Sequence, residues 1–388
     1  AVARMNPRLL ILTAGFGEGH NAAARALSAE HESHHGAGTA PVIDALALAA
    51  PRLNAVARRA YLRVINGWPT GWGALYRWFD RSRMVRAALG RSPAERRVLA
   101  ELIAHQRPAA VICTFPGYLF TLAALARGGA AVPPAFSVVT DSISINSLWW
   151  RAGSSGWFVP NAESADVMTA AGVDPGRISV TGFPVDPFFH HRAGEFMPPE
   201  LASGARPRVL YIVNSGRSRA PETAERLLRE TDWEITCTVG RDDALRRRLL
   251  EVAAGRPHRA EVLGWTNEIP RLLLTHHVVV SKAGGATTQE ALAARCPMVV
   301  NQIVPGQEEG NYELLRRHGV GALATTPEQV LVALRTAFAD RGALWSLWRR
   351  AVAPLSRPRA AAEILEQVLA AVRPPVVTPA PRETEVAR

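Results

Sequence analysis

The sequence predicts an α/β protein made of two Rossmann-like domains that face each other across a cleft. Short, continuous apolar runs alternate with helix-length stretches along most of the 388 residues. The alternation stops near the middle, in a segment rich in Pro, Gly and charge, and then restarts. Two of the apolar runs end in glycine-rich turns that lead into helical patterns. With 48% hydrophobic and 20% charged residues, the chain can bury a sizeable core, and its length favours two domains over one.

Taken in order, RLLILT (8–13) passes through the turn TAGFGEGH into an alanine-rich helix. AAVICT (109–114), AFSVVT (135–140), GWFVP (156–160) and RISVTG (177–182) follow, each apolar throughout, as strands buried on both faces of a parallel sheet are. These make a first domain, 1–189. The stretch HHRAGEFMPPELASGARP (190–207) has no periodicity and reads as an interdomain linker. RVLYIV (208–213), EITCTV (234–239), AEVLG (260–264), HVVVS (277–281) and PMVVNQ (297–302) then build a second domain, 208–340. ALWSLWRRAVAPL and PRAAAEILEQVLAAV are closing helices within 341–372, and the Pro-rich RPPVVTPAPRETEVAR (373–388) reads as a disordered tail. Ligands of such sheets sit outside the carboxyl ends of the strands, so the chemistry is expected in those loops.

The formal charge of +11 favours an anionic partner: nucleotide phosphates, an acidic membrane surface or nucleic acid. Every basic residue is arginine except Lys282, which singles that position out. Cys113, Cys237 and Cys296 are isolated, with no C-x-x-C pair, so they read as reduced buried thiols of a cytoplasmic protein and not as zinc ligands or disulfides. No apolar run approaches the roughly 20 residues of a membrane span. The amino-terminal AVARMNPRLLILTAG does not read as a secretory signal, so membrane association is expected to be peripheral.

In the first glycine-rich turn, a dinucleotide loop of the G-x-G-x-x-G type would need glycine where His20 stands. An imidazole at a helix N-terminus, outside a strand end, is instead suited to moving a proton. The second turn lies in VVVSKAGGATTQEALAARCPMVVNQIVPGQEEGN (278–311). A strand ends near Ser281, two glycines turn the chain, and a helix is expected to begin near Thr287; its free N–H groups and dipole suit diphosphate oxygens. Glu290 has two readings. With Thr287 it spells a capping box that would only start the helix, or it accepts hydrogen bonds from the ribose hydroxyls of a nucleotide whose phosphates rest on that helix start.

These stretches together resemble a known family. SKAGGATTQEALA followed by PGQEEGN is similar to the donor-binding half of inverting GT-B glycosyltransferases related to MurG, within the branch of monogalactosyldiacylglycerol synthases and processive diacylglycerol glucosyltransferases. GFGEGHNAAARAL resembles the acceptor-domain loop of that branch, and VVTDSISINSLWW with GWFVPNAESADVMTAAGVDPGRISVTGFPVDPFF resembles its middle section. The likeness runs in order over roughly residues 8–335. It implies transfer of a hexose from a UDP-sugar to a lipid hydroxyl, diacylglycerol above all, with inversion to a β-glycoside and no metal or other cofactor. It implies His20 as base or base-positioning group, with Gly17 and Gly19 keeping its loop open. Asp141, at a strand end, is a second catalytic candidate that orients or assists the ring, or else a helix cap. On the donor side it implies Gly284, Gly285, Ala286 and Thr287 at the diphosphate, Glu290 at the ribose, and Gln307, Glu308 and Asn311 at the sugar. Lys282 would offset phosphate charge or else is a solvated lysine at a strand end, Trp265 is a candidate for the uracil site or else a core residue, and Arg241 belongs to the donor side.

The sequence departs from the family in two places. VNSGRSRAPE stands where relatives carry a run of glycines, leaving Asn214, Ser215 and Gly216, with Arg217, to meet a phosphate. The histidine that often follows the TD of VVTDSISIN is absent. The acceptor side is read from residues 58–92, where Trp68, Trp72, Tyr76, Trp78 and Phe79 are interleaved with arginines around a single acid, Asp80. Aromatic and basic side chains in this mixture suit the headgroup zone of an anionic bilayer; a helical hairpin packing its tryptophans on the core is the structural alternative. Four other functions compete. A nicotinamide dehydrogenase, with Asp44 as its ribose acid, is opposed by His20, and a nucleic-acid binder by the lack of any recognisable module. A nucleotide-sugar epimerase, or a transferase with a non-lipid acceptor, stays open.

Overall fold

The computed structural model describes residues 7–67, 80, 82–213, 219–306 and 308–373. Trp68, Trp72, Tyr76, Trp78, Phe79, Asn214, Ser215, Gly216, Arg217, Gln307 and the tail beyond 373 lie outside the described residues.

Two six-stranded parallel sheets form the frame. The first contains β1 (Leu9–Leu12), β2 (Val42–Ile43), β3 (Ala110–Cys113), β4 (Ala135–Val138), β5 (Gly156–Val159) and β6 (Ile178–Val180), in the order β2-β1-β3-β4-β5-β6. The second contains β7 (Arg208–Ile212), β8 (Glu234–Thr238), β9 (Ala260–Leu263), β10 (Val278–Lys282), β11 (Met298–Gln302) and β12 (Ala322–Leu323), in the order β12-β11-β10-β7-β8-β9. Burial on both faces explains the continuous apolar runs. Leu9 and Ile11 of β1 and Ala110 and Ile112 of β3 point to one side of the first sheet, while Leu10, Leu12, Val111 and Cys113 point to the other, against Tyr118, Leu119 and Leu122. The three cysteines are buried and unpaired, as expected.

The expected linker is more ordered than its composition suggests. It forms short helical turns at Phe188–His191, Ala193–Glu195 and Leu201–Ser203, and it packs on the second domain: Ala193 and Phe196 lie against a cluster that holds Leu210, Val279 and Met298, which Phe183, Val185 and Phe189 just before it also join, and Leu201 joins Val209 and Trp345. In packing, the second domain therefore begins just after β6. Packing carries the second domain past the expected boundary at 340, since Trp345 and Trp348 belong to its core, although the backbone breaks at that point. The Pro327–Val352 helix is interrupted there, where Asp340, Arg341 and Gly342 take φ values of 48, 55 and 81°.

The last helix, Ala360–Val372, does not stay with the second domain. Ala361, Ile364, Leu365 and Val368 pack on Leu9, Ile11, Ile112 and Phe136 of the first sheet. The chain therefore crosses between domains twice, and the crossings touch. Gly182, at φ 100°, lies so close to the returning segment that a Cβ there would sit 2.5 Å from Arg357 Cβ. Only glycine tolerates both the backbone angle and the contact.

Candidate active site

The carboxyl ends of the two sheets face each other, and the two glycine-rich turns meet there. After β1 the chain turns through Gly15, whose N–H donates to Asp44 Oδ2 at 3.0 Å, and enters the Glu18–His35 helix with Gly17 at its N-cap. His20 is thus held in the first turn of that helix, half-buried, with its peptide oxygen accepting from Thr114 Oγ1 at 3.0 Å. Phe115 meets the imidazole edge-on at a centroid distance of 5.4 Å, and Trp149 lies at 6.0 Å. A Cβ at Gly17 would stand 3.5 Å from His20 Cδ2 and 3.9 Å from Nε2, so glycine there leaves the Nε2 side open; Gly19 has no neighbour within 4 Å of such a carbon.

His20 Nδ1 is hydrogen-bonded to Thr140 Oγ1 at 2.8 Å. Asp141, expected to orient or assist the ring, is not its hydrogen-bond partner. The Asp141 carboxylate accepts from Trp149 Nε1 at 2.8 Å, and it acts on His20 through its charge. Burial pulls the His20 pKa below its ordinary value and outweighs the opposing pull of Asp141. Burial likewise raises the Asp141 carboxyl. The imidazole is accordingly neutral near pH 7 and able to accept a proton.

On the opposite side β10 ends at Lys282 and the Gly285–Ala293 helix begins, with Gly284 as its N-cap and no side chain capping it. This start lies two residues before the one expected, and it removes the capping-box reading. Thr287 is already inside the helix, so Glu290 has no helix end to cap. Glu290 is instead half-buried where this helix meets the Glu18–His35 helix, within electrostatic reach of Glu18, Arg25 and Asp186. Burial, reinforced by the Asp186 and Glu18 charges, pushes its carboxyl up to about 8. The helix start also abuts the first domain directly: a Cβ at Gly285 would lie 3.6 Å from the Thr140 peptide oxygen. Thr140 thus touches His20 with its hydroxyl and the Gly285 turn with its backbone.

Other donor-side candidates fall around this turn. Lys282 Nζ pairs with Glu308 Oε1, while Glu308 Oε2 accepts the Val304 N–H at 2.9 Å. The two residues expected to meet phosphate and sugar therefore neutralise one another in this structure, with the Glu308 side chain 7% exposed. Asn311 is buried and donates from Nδ2 to Ala283 O at 3.0 Å, bracing the turn from beneath, and its Oδ1 has no partner among the described residues. Ala286 and Thr287 are half-buried at the helix start. Trp265 follows β9 in an exposed loop, 69% accessible, which excludes the core alternative. Arg241 is exposed in the turn after β8.

The sequence reading missed three features of the site. Thr140 carried no signal beyond the TD pair. Ile143, a β-branched residue, takes φ 57° and packs its side chain on the second-domain cluster. Two His–Glu pairs connect the domain surfaces: His318 Nε2 to Glu163 Oε1 at 2.7 Å, and His191 Nε2 to Glu30 Oε2 at 3.2 Å.

Residues 20–185 match the family model described as monogalactosyldiacylglycerol (MGDG) synthase. A processive diacylglycerol beta-glucosyltransferase of Bacillus subtilis (strain 168) is 24% identical over 372 residues, covering 94% of this chain and 95% of the relative. Among solved structures, Os79 from O. sativa in complex with UDP superposes with a TM-score of 0.62 at 12% identity, covering 94% of this chain and all of that one. Acinetobacter baumannii MurG gives a TM-score of 0.58 at 14% identity over the same shares. The resemblance drawn from the motifs and the two-domain GT-B architecture are both borne out by these likenesses.

Proposed function

We infer that this chain, a relative of the monogalactosyldiacylglycerol synthases and processive diacylglycerol glucosyltransferases, transfers a hexose from a UDP-sugar to diacylglycerol at a membrane surface. The observation that carries this reading is the opposition, through Thr140, of a neutral imidazole on one domain and an uncapped helix N-terminus on the other. The free N–H groups and dipole at Gly285 stabilise negative charge growing on a leaving diphosphate, and Glu290 receives the ribose hydroxyls. His20 Nε2 takes the proton of the acceptor hydroxyl as its oxygen attacks the anomeric carbon from the opposite face, giving the β-glycoside. The helix terminus supplies the electrostatic role that a metal plays in other transferases, so the reaction is proposed to run without one.

The membrane part of the proposal rests on the first domain. The Pro51–Gly67 helix leaves Leu53 and Val56 exposed beside Arg52, Arg58, Arg59 and Arg63, with Leu48 exposed on the adjoining Ala45–Ala49 helix. Arg58 reaches back to within 3.6 Å of a Cβ built on Gly15, so this helix lies over the loop that carries His20. Farther along, a groove of about 940 Å³ beside Phe120 and Trp150 carries Arg151 and Arg177, and an adjoining one of about 350 Å³ adds Arg91, Arg96 and Arg127. Among the described residues none of these five arginines forms an ion pair with a carboxylate. Guanidinium groups with no carboxylate partner beside apolar side chains suit anionic headgroups. No described helix is long and apolar enough to cross a membrane.

The test is to incubate the protein with labelled UDP-glucose, UDP-galactose or UDP-N-acetylglucosamine and vesicles of diacylglycerol with anionic phospholipid. Label entering the organic phase is the expected result. Label confined to a water-soluble product identifies a non-lipid acceptor, and loss of the donor with no transfer at all overturns the reading.

A further inference from the structure

Thr140 is buried at the end of the chain run that follows β4, and its hydroxyl is the one hydrogen-bond partner of the His20 ring among the described residues. The loop that begins there is fixed at both ends of the cleft. Ile143 N–H donates to Ser164 Oγ at 3.1 Å, and Ser144 N–H closes a tight turn on Ser142 O at 2.6 Å. Ile143, held at φ 57°, puts its side chain on the second domain. Beneath the loop, a Cβ at Gly310 would lie 1.8 Å from Ser142 O, so the second domain can receive the loop only through glycine. Thr140 therefore has little freedom to move away from the imidazole.

A neutral imidazole carries one proton, and its position decides which nitrogen can act as base. With Nδ1–H donating to an oxygen, the lone pair is on Nε2, on the side that Gly17 leaves open. We propose that Thr140 is a positioning residue whose hydroxyl accepts from His20 Nδ1–H and so fixes Nε2 as the atom that takes the acceptor proton. The inference rests on the reading of His20 as base. During transfer the alcohol O–H bond breaks toward Nε2, the alcohol oxygen bonds the anomeric carbon, and the bond from that carbon to the diphosphate breaks with its electron pair on the leaving oxygen. The imidazolium keeps both protons, and the Thr140 oxygen stabilises the charged ring through Nδ1–H before solvent removes the proton from Nε2.

The test compares Thr140→Val, which keeps shape but lacks the hydroxyl, with Thr140→Ser, which restores it. Thr140→Val is expected to lower kcat by about tenfold, the usual effect of losing one hydrogen bond to a group that becomes charged. Its KM for the UDP-sugar should stay unchanged. The acid limb of its kcat/KM profile should move to lower pH, because the imidazolium has lost an acceptor; Thr140→Ser should restore both properties. A merely structural role would not move that limb. Wild-type kcat and pH profile in Thr140→Val, with His20→Gln inactive, overturns the positioning role and leaves the base in place; full turnover in His20→Gln overturns the base reading itself. ¹⁵N spectra of histidine-labelled wild-type protein, assigned against His20→Gln, read the tautomer without any Thr140 variant. The Nδ1-protonated form is expected, and the Nε2-protonated form overturns the proposal.

Discussion

Glu290 offers the sharpest test of the donor site, because burial and neighbouring acids push its carboxyl up to about 8. At pH 7 such a group is about 0.9 protonated. Ribose hydroxyls that donate to it require the carboxylate, so UDP binding should displace that proton and release roughly 0.9 proton per nucleotide near pH 7. Affinity should rise about tenfold from pH 6 to 7 and level off above about 8. The sign follows from the raised pKa: the free protein holds the proton up to that value, and the bound form does not. Calorimetric titration of UDP in buffers of different ionisation enthalpy measures the release. Because the nucleotide phosphate also titrates, the quantity to compare is the difference between wild type and Glu290→Gln, which cannot release a side-chain proton. The variant should also bind UDP about 10- to 100-fold more weakly, the effect of replacing a charged acceptor of hydroxyl bonds with a neutral amide. Equal proton release and equal affinity in the two proteins would refute the assignment of Glu290 to the ribose.

Other expectations concern the base, the lipid face, the turn and the metal. His20→Ala should reduce transfer by about 10²- to 10⁴-fold, the range of general-base catalysis, with UDP affinity by calorimetry unchanged. Leu53→Glu with Val56→Glu, on an exposed face, should abolish flotation with anionic vesicles and leave the melting temperature within a degree or so. Lys282→Ala strands the buried Glu308 carboxylate; with the discount for the lysine's partial exposure the expected loss is about 1–3 kcal/mol, read as a lower midpoint in urea unfolding. Preincubation with a chelator should leave initial rates unchanged, and a rate restored only by added divalent cation would refute the metal-free reaction.

Much of the frame could be read from the sequence because it rests on local pattern. Strands buried on both faces must be apolar at every position, so RLLILT and HVVVS announced themselves, whereas β2 and β12, two residues each, are too short for any pattern to mark. His20 was legible because it stands where a dinucleotide loop needs glycine, and Glu290 because of its place after a glycine turn. The start of the Gly285–Ala293 helix was not, since Thr287 and Glu290 imitate a capping box and only tertiary contact shows the helix beginning earlier. Thr140 and Ile143 belong to the same class: nothing in the order of residues tells which hydroxyl will face an imidazole across 120 positions, or that an isoleucine will adopt a left-handed backbone to reach the other domain. The Ala360–Val372 helix carried an apolar stripe, but a stripe does not say which of two sheets it will cover.

That final helix has a consequence for how the protein comes into being. On the ribosome the second domain has all its strands by residue 323, and the segment between the two domains emerges together with the sheet it packs on. The first sheet, although made earlier, has only part of the cover over Leu9, Ile11, Ile112 and Phe136, from Ala24 and Leu27, until residues 360–372 are synthesised. Domains ordinarily mature in the order of translation; here part of the amino-terminal core waits on residues 360–372, and a chain that stops short of residue 360 lacks that share of its apolar contacts.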